Sequence, residues 1–336
     1  MHKPLIKVGI IGLGVGEAHL RSYQEIQNVE VKSICDIDKT RLEEVGKKYD
    51  IEHRYTDFKE ITEDQDINVV SICSYDDCHF SQILSAIRHD KHIMVEKPAC
   101  LTVHEAEEIL NELQKTKIYM TSNLILRQSP RFISLRDMIK RGDFGDVFHI
   151  EGDYLHQILW KITEGWRGKM DFYCTVYGGG IHLIDLMRWI MGEEISAVGA
   201  MGSNVAVRDT SYSWPDTITA LLQWKNGATG KTTTTFAPQR TKFHSLNVYG
   251  TNKTFINDMP HAHLFSGDDH QRDHQLIDTA YPGMDKGDLL PDFIDCIRQH
   301  RQPTINEIDI FRVMSVCFAI WESVQSKRQT VVQYLI

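Results

Sequence analysis

Two stretches of this 336-residue chain place a titratable side chain where chemistry would need one. In "HIMVEKPAC", Lys97 closes a β-rich, strand-like run and is followed by Pro98. Ligands of open α/β sheets bind at the carboxyl ends of the strands, and an ammonium group there can hold a reacting oxygen. A tight, pre-set turn at this point would fix that group, so the Lys97-Pro98 peptide is expected to be cis. In "VYGGGIHLIDLMRWIMG", His182 opens an amphipathic run behind Gly178, Gly179 and Gly180. Histidine titrates in the range that suits removal of a hydroxyl proton, and glycine lets a backbone come close to a ligand. The plain alternatives are a solvated loop lysine and a hydrogen-bonded structural histidine.

A third stretch is built for a phosphate. Gly9, Gly12, Gly14 and Gly16 lie where "IKVGIIG" turns into a helical pattern, the context in which backbone N–H groups meet a pyrophosphate at a helix amino end. The spacing is imperfect, since Glu17 stands three residues after Gly14. Asp36 closes the next strand-like run, where a carboxylate can accept both hydroxyls of an adenosine ribose. The alternative role for Asp36 is a helix N-cap, which Asp38 supplies equally well. Both aspartates repel a 2'-phosphate, so NAD is expected rather than NADP, a preference moderated by Lys39 and Arg41. With the phosphate role filled near Gly12, the triple glycine is read as the close-approach wall of a substrate site.

The elements that position these residues follow from hydrophobic periodicity. Up to about Asn123, short apolar runs alternate with helical segments, which means βαβ units and a doubly wound parallel sheet. Beyond it come alternating strand patterns divided by turn pairs such as Asn226-Gly227, then a last amphipathic helix in "EIDIFRVMSVCFAIWESVQSK". The fold class is therefore α/β: a Rossmann-type domain over residues 1–123, and an α+β domain with a large, mostly antiparallel open sheet over 124–336. "HAHLFSGDDHQRDH" carries four histidines, of which His270 and His274 have the i, i+4 spacing of helical metal ligands; its glycine and charges read instead as a solvated loop, with no metal expected.

A formal charge of -9 gives no footprint for nucleic acid. The seven cysteines are scattered without CxxC pairs, and the amino-terminal stretch has no signal-like apolar region, so reduced thiols, no membrane and a cytoplasmic location are expected.

"GIIGLGVGEAHL", "DINVVSICSYDDCHF", "AIRHDKHIMVEKP", "RGDFGDV" and "GGGIHLIDLMRWIMG" together resemble the Gfo/Idh/MocA family of sugar and inositol oxidoreductases over nearly the whole chain. The resemblance implies hydride transfer between a nicotinamide and a ring carbon of a sugar, nucleotide sugar or cyclitol, and a homodimer or homotetramer formed through the second sheet. It implies that Gly12, Leu13, Gly14, Val15, Gly16, Asp36, Ile37, Ser74, Tyr75, His79, Glu96 and Lys97 bound the cofactor. Lys97, Asn123, Arg127, Tyr154, Trp166, Arg167 and His182 would meet substrate, with His156 in the same cleft. Lys97 and His182 would be catalytic. The chain departs from the family where an Asp usually stands four residues before the histidine: that position is Gly178. Asp185, three residues after His182 and on the same helical face, is the nearest replacement partner. A second function class is a non-redox enzyme that holds NAD tightly and uses transient oxidation for elimination or glycoside cleavage. A third is a cofactor sensor without catalysis, which would need neither Lys97 nor His182.

Overall fold

The computed structural model describes residues 4–267, 272–281 and 285–336. Its strands are β1 Ile6–Ile11, β2 Val29–Cys35, β3 His53–Tyr55, β4 Val69–Ile72, β5 His92–Val95, β6 Met120–Ser122, β7 Val147–Leu155, β8 Ile195–Ser203, β9 Thr217–Trp224, β10 Thr229–Thr235, β11 Phe243–Gly250, β12 Lys253–Asn257, β13 Ala262–Gly267, β14 Arg272–Ile277 and β15 Thr330–Val331. Its helices are α1 Leu13–Gln24, α2 Lys39–Lys48, α3 Lys59–Thr62, α4 His79–Arg88, α5 Val103–Leu113, α6 Pro130–Lys140, α7 Trp160–Thr163, α8 Ile181–Met191, α9 Leu290–Gln299 and α10 Glu307–Ser326.

The first six strands form one parallel sheet in the order β3-β2-β1-β4-β5-β6. The order reverses between β1 and β4, the switch point at which doubly wound sheets bind ligands beyond their carboxyl ends. Strands covered on both faces read as unbroken apolar runs, and β4 is buried at every position. Local chemistry sets the helix starts: Asp38 caps α2 by accepting from the N–H groups of Thr40 and Arg41, and Thr102 with Glu105 closes a capping box on α5.

The other nine strands form a second sheet, β14-β13-β12-β11-β7-β10-β9-β8-β15, antiparallel throughout except where β7 and β10 run parallel. β9 alternates strictly between buried and exposed positions, so one face packs inward and the other stays open. β9 turns into β10 through Asn226-Gly227, where Gly227 takes φ +92° and Trp224 N–H donates to the Ala228 carbonyl at 2.9 Å.

Two compact units result: residues 1–125 with 285–311 and 335–336, and residues 126–284 with 312–334. A single cut after residue 123 does not describe them, because the chain comes back to the first unit late. α9 packs on α1, the Arg21–Asp285 ion pair spans 3.0 Å, and Arg298 donates to the carbonyls of Gln27 and Asn28.

Candidate active site

At the nucleotide end of the first unit, β1 turns into α1 through Gly12, which takes φ +85°. A Cβ there would stand 2.6 Å from the Cys73 carbonyl and the Ser74 Cα, and one on Gly16 would stand 2.8 Å from Ile10 Cγ2. Both glycines are demanded by the protein itself. Gly14 is not, since the nearest atom to a Cβ there is Arg41 Nη1 at 3.7 Å. Leu13 buries its side chain, and its N–H donates to Asp36 Oδ2 at 2.7 Å, while Asp36 Oδ1 accepts from Asp38 N–H at 2.9 Å. Asp38 takes the capping role, which leaves Asp36 as the carboxylate that ties the glycine turn to the end of β2. Ile37 beside it is exposed, and Val15 is half-buried.

The ends of β4 and β5 meet behind that turn. His79 is buried, with Nδ1 2.7 Å from the Pro98 carbonyl and Nε2 3.3 Å from the Ser74 carbonyl. It braces the two strand-end turns from inside. Ser74 Oγ donates to Gln82 at 2.6 Å, Tyr75 lies open, Lys97 is half-buried and the Lys97-Pro98 peptide is cis. Glu96 is buried, accepts from Asn123 Nδ2 at 2.7 Å, and stands 3.6 Å from both His19 Nε2 and Lys286 Nζ. Burial alone would raise its carboxyl pKa; the charge of Lys286, then His19 and Lys97, holds it well below the usual carboxylate range.

In the second unit, β7, β11 and α8 bring aromatic and imidazole rings together. Tyr154 and His244 face each other across β7 and β11 with ring centres 5.4 Å apart; His156 lies 5.9 Å and His182 6.3 Å from the Tyr154 ring. Tyr154 OH meets His156 Nδ1 at 3.1 Å, and Tyr281 OH accepts from His244 N–H at 3.1 Å and bonds its Nδ1. Burial pushes the Tyr154 hydroxyl up to about 12, partly offset by Arg167. His156 falls to about 4, through burial and then the charges of Lys242 and Lys161, so it is a neutral ring near pH 7. The Arg167 guanidinium lies 4.2 Å from the Trp166 ring and 5.8 Å from that of Tyr173.

The structure departs from the sequence reading at three places in this unit. Gly178, Gly179 and Gly180 are buried in a π-helical turn over Val176–Gly180. Added Cβ atoms would stand 1.9 Å from Tyr173 OH, 2.7 Å from the Tyr154 ring and 2.1 Å from Thr234 Oγ1. What the glycines admit is therefore this chain's own side chains rather than a ligand. Asp185, expected beside His182, is buried in a two-pronged ion pair with Arg127, Nε to Oδ2 at 2.8 Å, and that pair occupies Arg127 as well. The histidine-rich stretch is not a loop: its described parts are β13 and β14, where His263, Phe265 and His274 stack and His263 Nδ1 lies 3.0 Å from His274 Nε2. His270 lies outside the described residues.

Sequence reasoning missed His244, Tyr281 and Lys286. Each reaches its cluster through long-range pairing, and no local spacing marks them.

Residues 6–123 match the family model for the oxidoreductase family with NAD-binding Rossmann fold, and residues 132–256 match that for the GFO/IDH/MocA carboxyl-terminal domain. The chain belongs to the Gfo/Idh/MocA oxidoreductase family. Among curated members, it is similar to a myo-inositol 2-dehydrogenase of Thermotoga maritima, 27% identical over 67% of each chain. It is also similar to an α-N-acetylgalactosaminidase of Bacteroides fragilis, 29% identical over 46% of this chain and 39% of that one. Among solved structures, a levoglucosan dehydrogenase in complex with NADH shares the fold at TM-score 0.85 and 20% identity, covering 98% of this chain and 99% of that one. Among the described residues, no helix is long and apolar enough to cross a membrane.

Proposed function

We propose that the protein oxidises a ring hydroxyl of a sugar, sugar derivative or cyclitol with NAD as acceptor. The observation that carries the cofactor half is Gly14: a glycine the protein does not itself require, at the amino end of α1, with Asp36 at the end of the neighbouring strand. That combination suits a pyrophosphate and a ribose without a 2'-phosphate. The remaining cofactor contacts are assigned to Gly12, Val15, Ile37, Ser74, Tyr75 and Lys97. Bound there, the nicotinamide supplies the hydride acceptor. The family relationship to an inositol dehydrogenase supports the substrate class.

On this reading Lys97 holds the reacting oxygen, and His182 takes the hydroxyl proton. Tyr154, Trp166 and Arg167 contact the ring, while the Arg127–Asp185 pair fixes the base of α8. A second copy of the chain covers the open sheet face, where Leu221 and Met201 are exposed.

The similarity to a glycosidase supports a second reading, in which NAD is kept and the hydride returned. One experiment separates the two: absorbance at 340 nm with a panel of inositols, aldoses, amino sugars and nucleotide sugars. Stoichiometric NADH supports the dehydrogenase, whereas turnover without net NADH supports the second reading.

A further inference from the structure

Glu96 immediately precedes Lys97, and its charge is buried. A buried carboxylate costs several kcal/mol unless opposite charge and hydrogen bonds compensate it. Its neighbours come from every element around it: His19 from α1, Cys73 just past β4, Lys97 past β5, Asn123 past β6, and Lys286 from the segment that returns before α9. Asn123 donates twice from one nitrogen. Its Nδ2 donates to Glu96 Oε1 at 2.7 Å and to the Lys286 carbonyl at 3.0 Å, so those two acceptors fix the amide's orientation.

The segment bearing Lys286 is itself pinned. Arg21 pairs with Asp285 at 3.0 Å, and Ser22 Oγ donates to the Gly287 carbonyl at 3.1 Å. A Cβ on Gly287 would stand 2.4 Å from Ser22 Cβ, so glycine is what lets the segment lie this close to α1. Lys286 is only partly buried, yet its ammonium points at the one carboxylate in this cluster.

We infer that Lys286 is a positioning residue: through its ammonium on Glu96 and its carbonyl on Asn123, it holds the arrangement from which Lys97 works. The nucleotide fold would then be incomplete as a catalytic half without residues 285–287. Removing the ammonium leaves Glu96 with weaker compensation, so that it takes up a proton at higher pH.

The test compares full-length wild type with Lys286→Met and Lys286→Arg. In the first arm, kcat and KM for NAD reduction are measured. In Lys286→Met kcat should fall several-fold while KM for NAD changes little, and Lys286→Arg should recover most of it. This arm rests on the dehydrogenase reading above; the second does not.

In the second arm, thermal unfolding is followed without substrate. The native carboxyl is depressed, so the Glu96–Lys286 attraction is present while Glu96 is ionised and disappears as it protonates. The stability gap between wild type and Lys286→Met should therefore be full near pH 7 and shrink below about pH 5. A kcat for Lys286→Met equal to that of wild type, or a gap of the same size at every pH, overturns the inference. If wild type reduces NAD with no polyol, the functional reading fails and the unfolding arm alone decides this one.

Discussion

The two units build their candidate sites from different materials. In the first, the working parts are strand-end turns and main-chain groups: the φ of Gly12, the Leu13 N–H on Asp36, and the Ser74 and Pro98 carbonyls on His79. In the second they are side chains, meeting because β7 and β11 are in register and because α8 carries its glycine turn against Tyr154 and Tyr173. A site made of turns is written in a few adjacent residues, whereas a site made of rings depends on partners tens of residues apart.

The largest effect expected concerns the Arg127–Asp185 pair, both of whose side chains are buried. Arg127→Met should lower unfolding stability by about 3–5 kcal/mol, because it removes both hydrogen bonds of the guanidinium to a buried carboxylate. Arg127→Met combined with Asp185→Leu should recover much of the loss in denaturant titrations. A single variant as stable as wild type would mean that the second site does not lean on paired side chains.

Next in size, His182→Ala should reduce turnover by roughly 10²-fold while NADH affinity is unchanged. Near-normal turnover on the true substrate would make His182 structural.

Two glycine substitutions should then cross over. Gly178→Ala must displace Tyr173 and should cost about 1–3 kcal/mol of stability, with little change in NADH affinity. Gly14→Ala meets nothing closer than 3.7 Å, so its melting temperature should stay near wild type while NADH binding weakens. Binding titrations and thermal melts on the same two proteins decide it, and loss of the crossover removes the contrast between the units. A smaller shift is expected for Asp36→Ala, which should narrow the gap between NADH and NADPH dissociation constants. Tighter NADPH binding by wild type would contradict the assignment of NAD.

The smallest effect is a pH dependence. His156 resists protonation down to about 4, against 6.5 for an ordinary histidine. The unfolded chain therefore binds the proton first, and stability falls as the pH drops between those values. His156→Gln should flatten part of that slope in melts taken from pH 7 to about pH 4.5.

Legibility in the sequence followed the same divide. β1, the glycine turn, Asp36 and the strand leading to Lys97 could be read directly, because short apolar runs and glycine conformations are local properties. His182 and the glycines before it were visible as a pattern, but not what filled the space beside them, since Tyr173, Tyr154 and Thr234 arrive from other elements. The β13–β14 hairpin read as a loop because its charges and Gly267 hid the single ring-bearing face formed by His263, Phe265 and His274. The return of residues 285–311 to the first unit had no signal, for nothing in "MDKGDLLPDFIDCIRQ" says which earlier helix it will pack on.

That return has a consequence for how the protein is made. Asn123 and the Lys286 carbonyl that it holds are 163 residues apart. A ribosome adding about 5–20 residues per second takes roughly 8–30 s to cover that distance. For that interval the parallel sheet can already have emerged, while α1 lacks its α9 cover and Glu96 lacks its lysine. The nascent first unit thus lacks α9 and Lys286 until the sheet-bearing unit has been synthesised. The order of translation, and not only the final fold, makes completion of the first unit conditional on the second unit having been built.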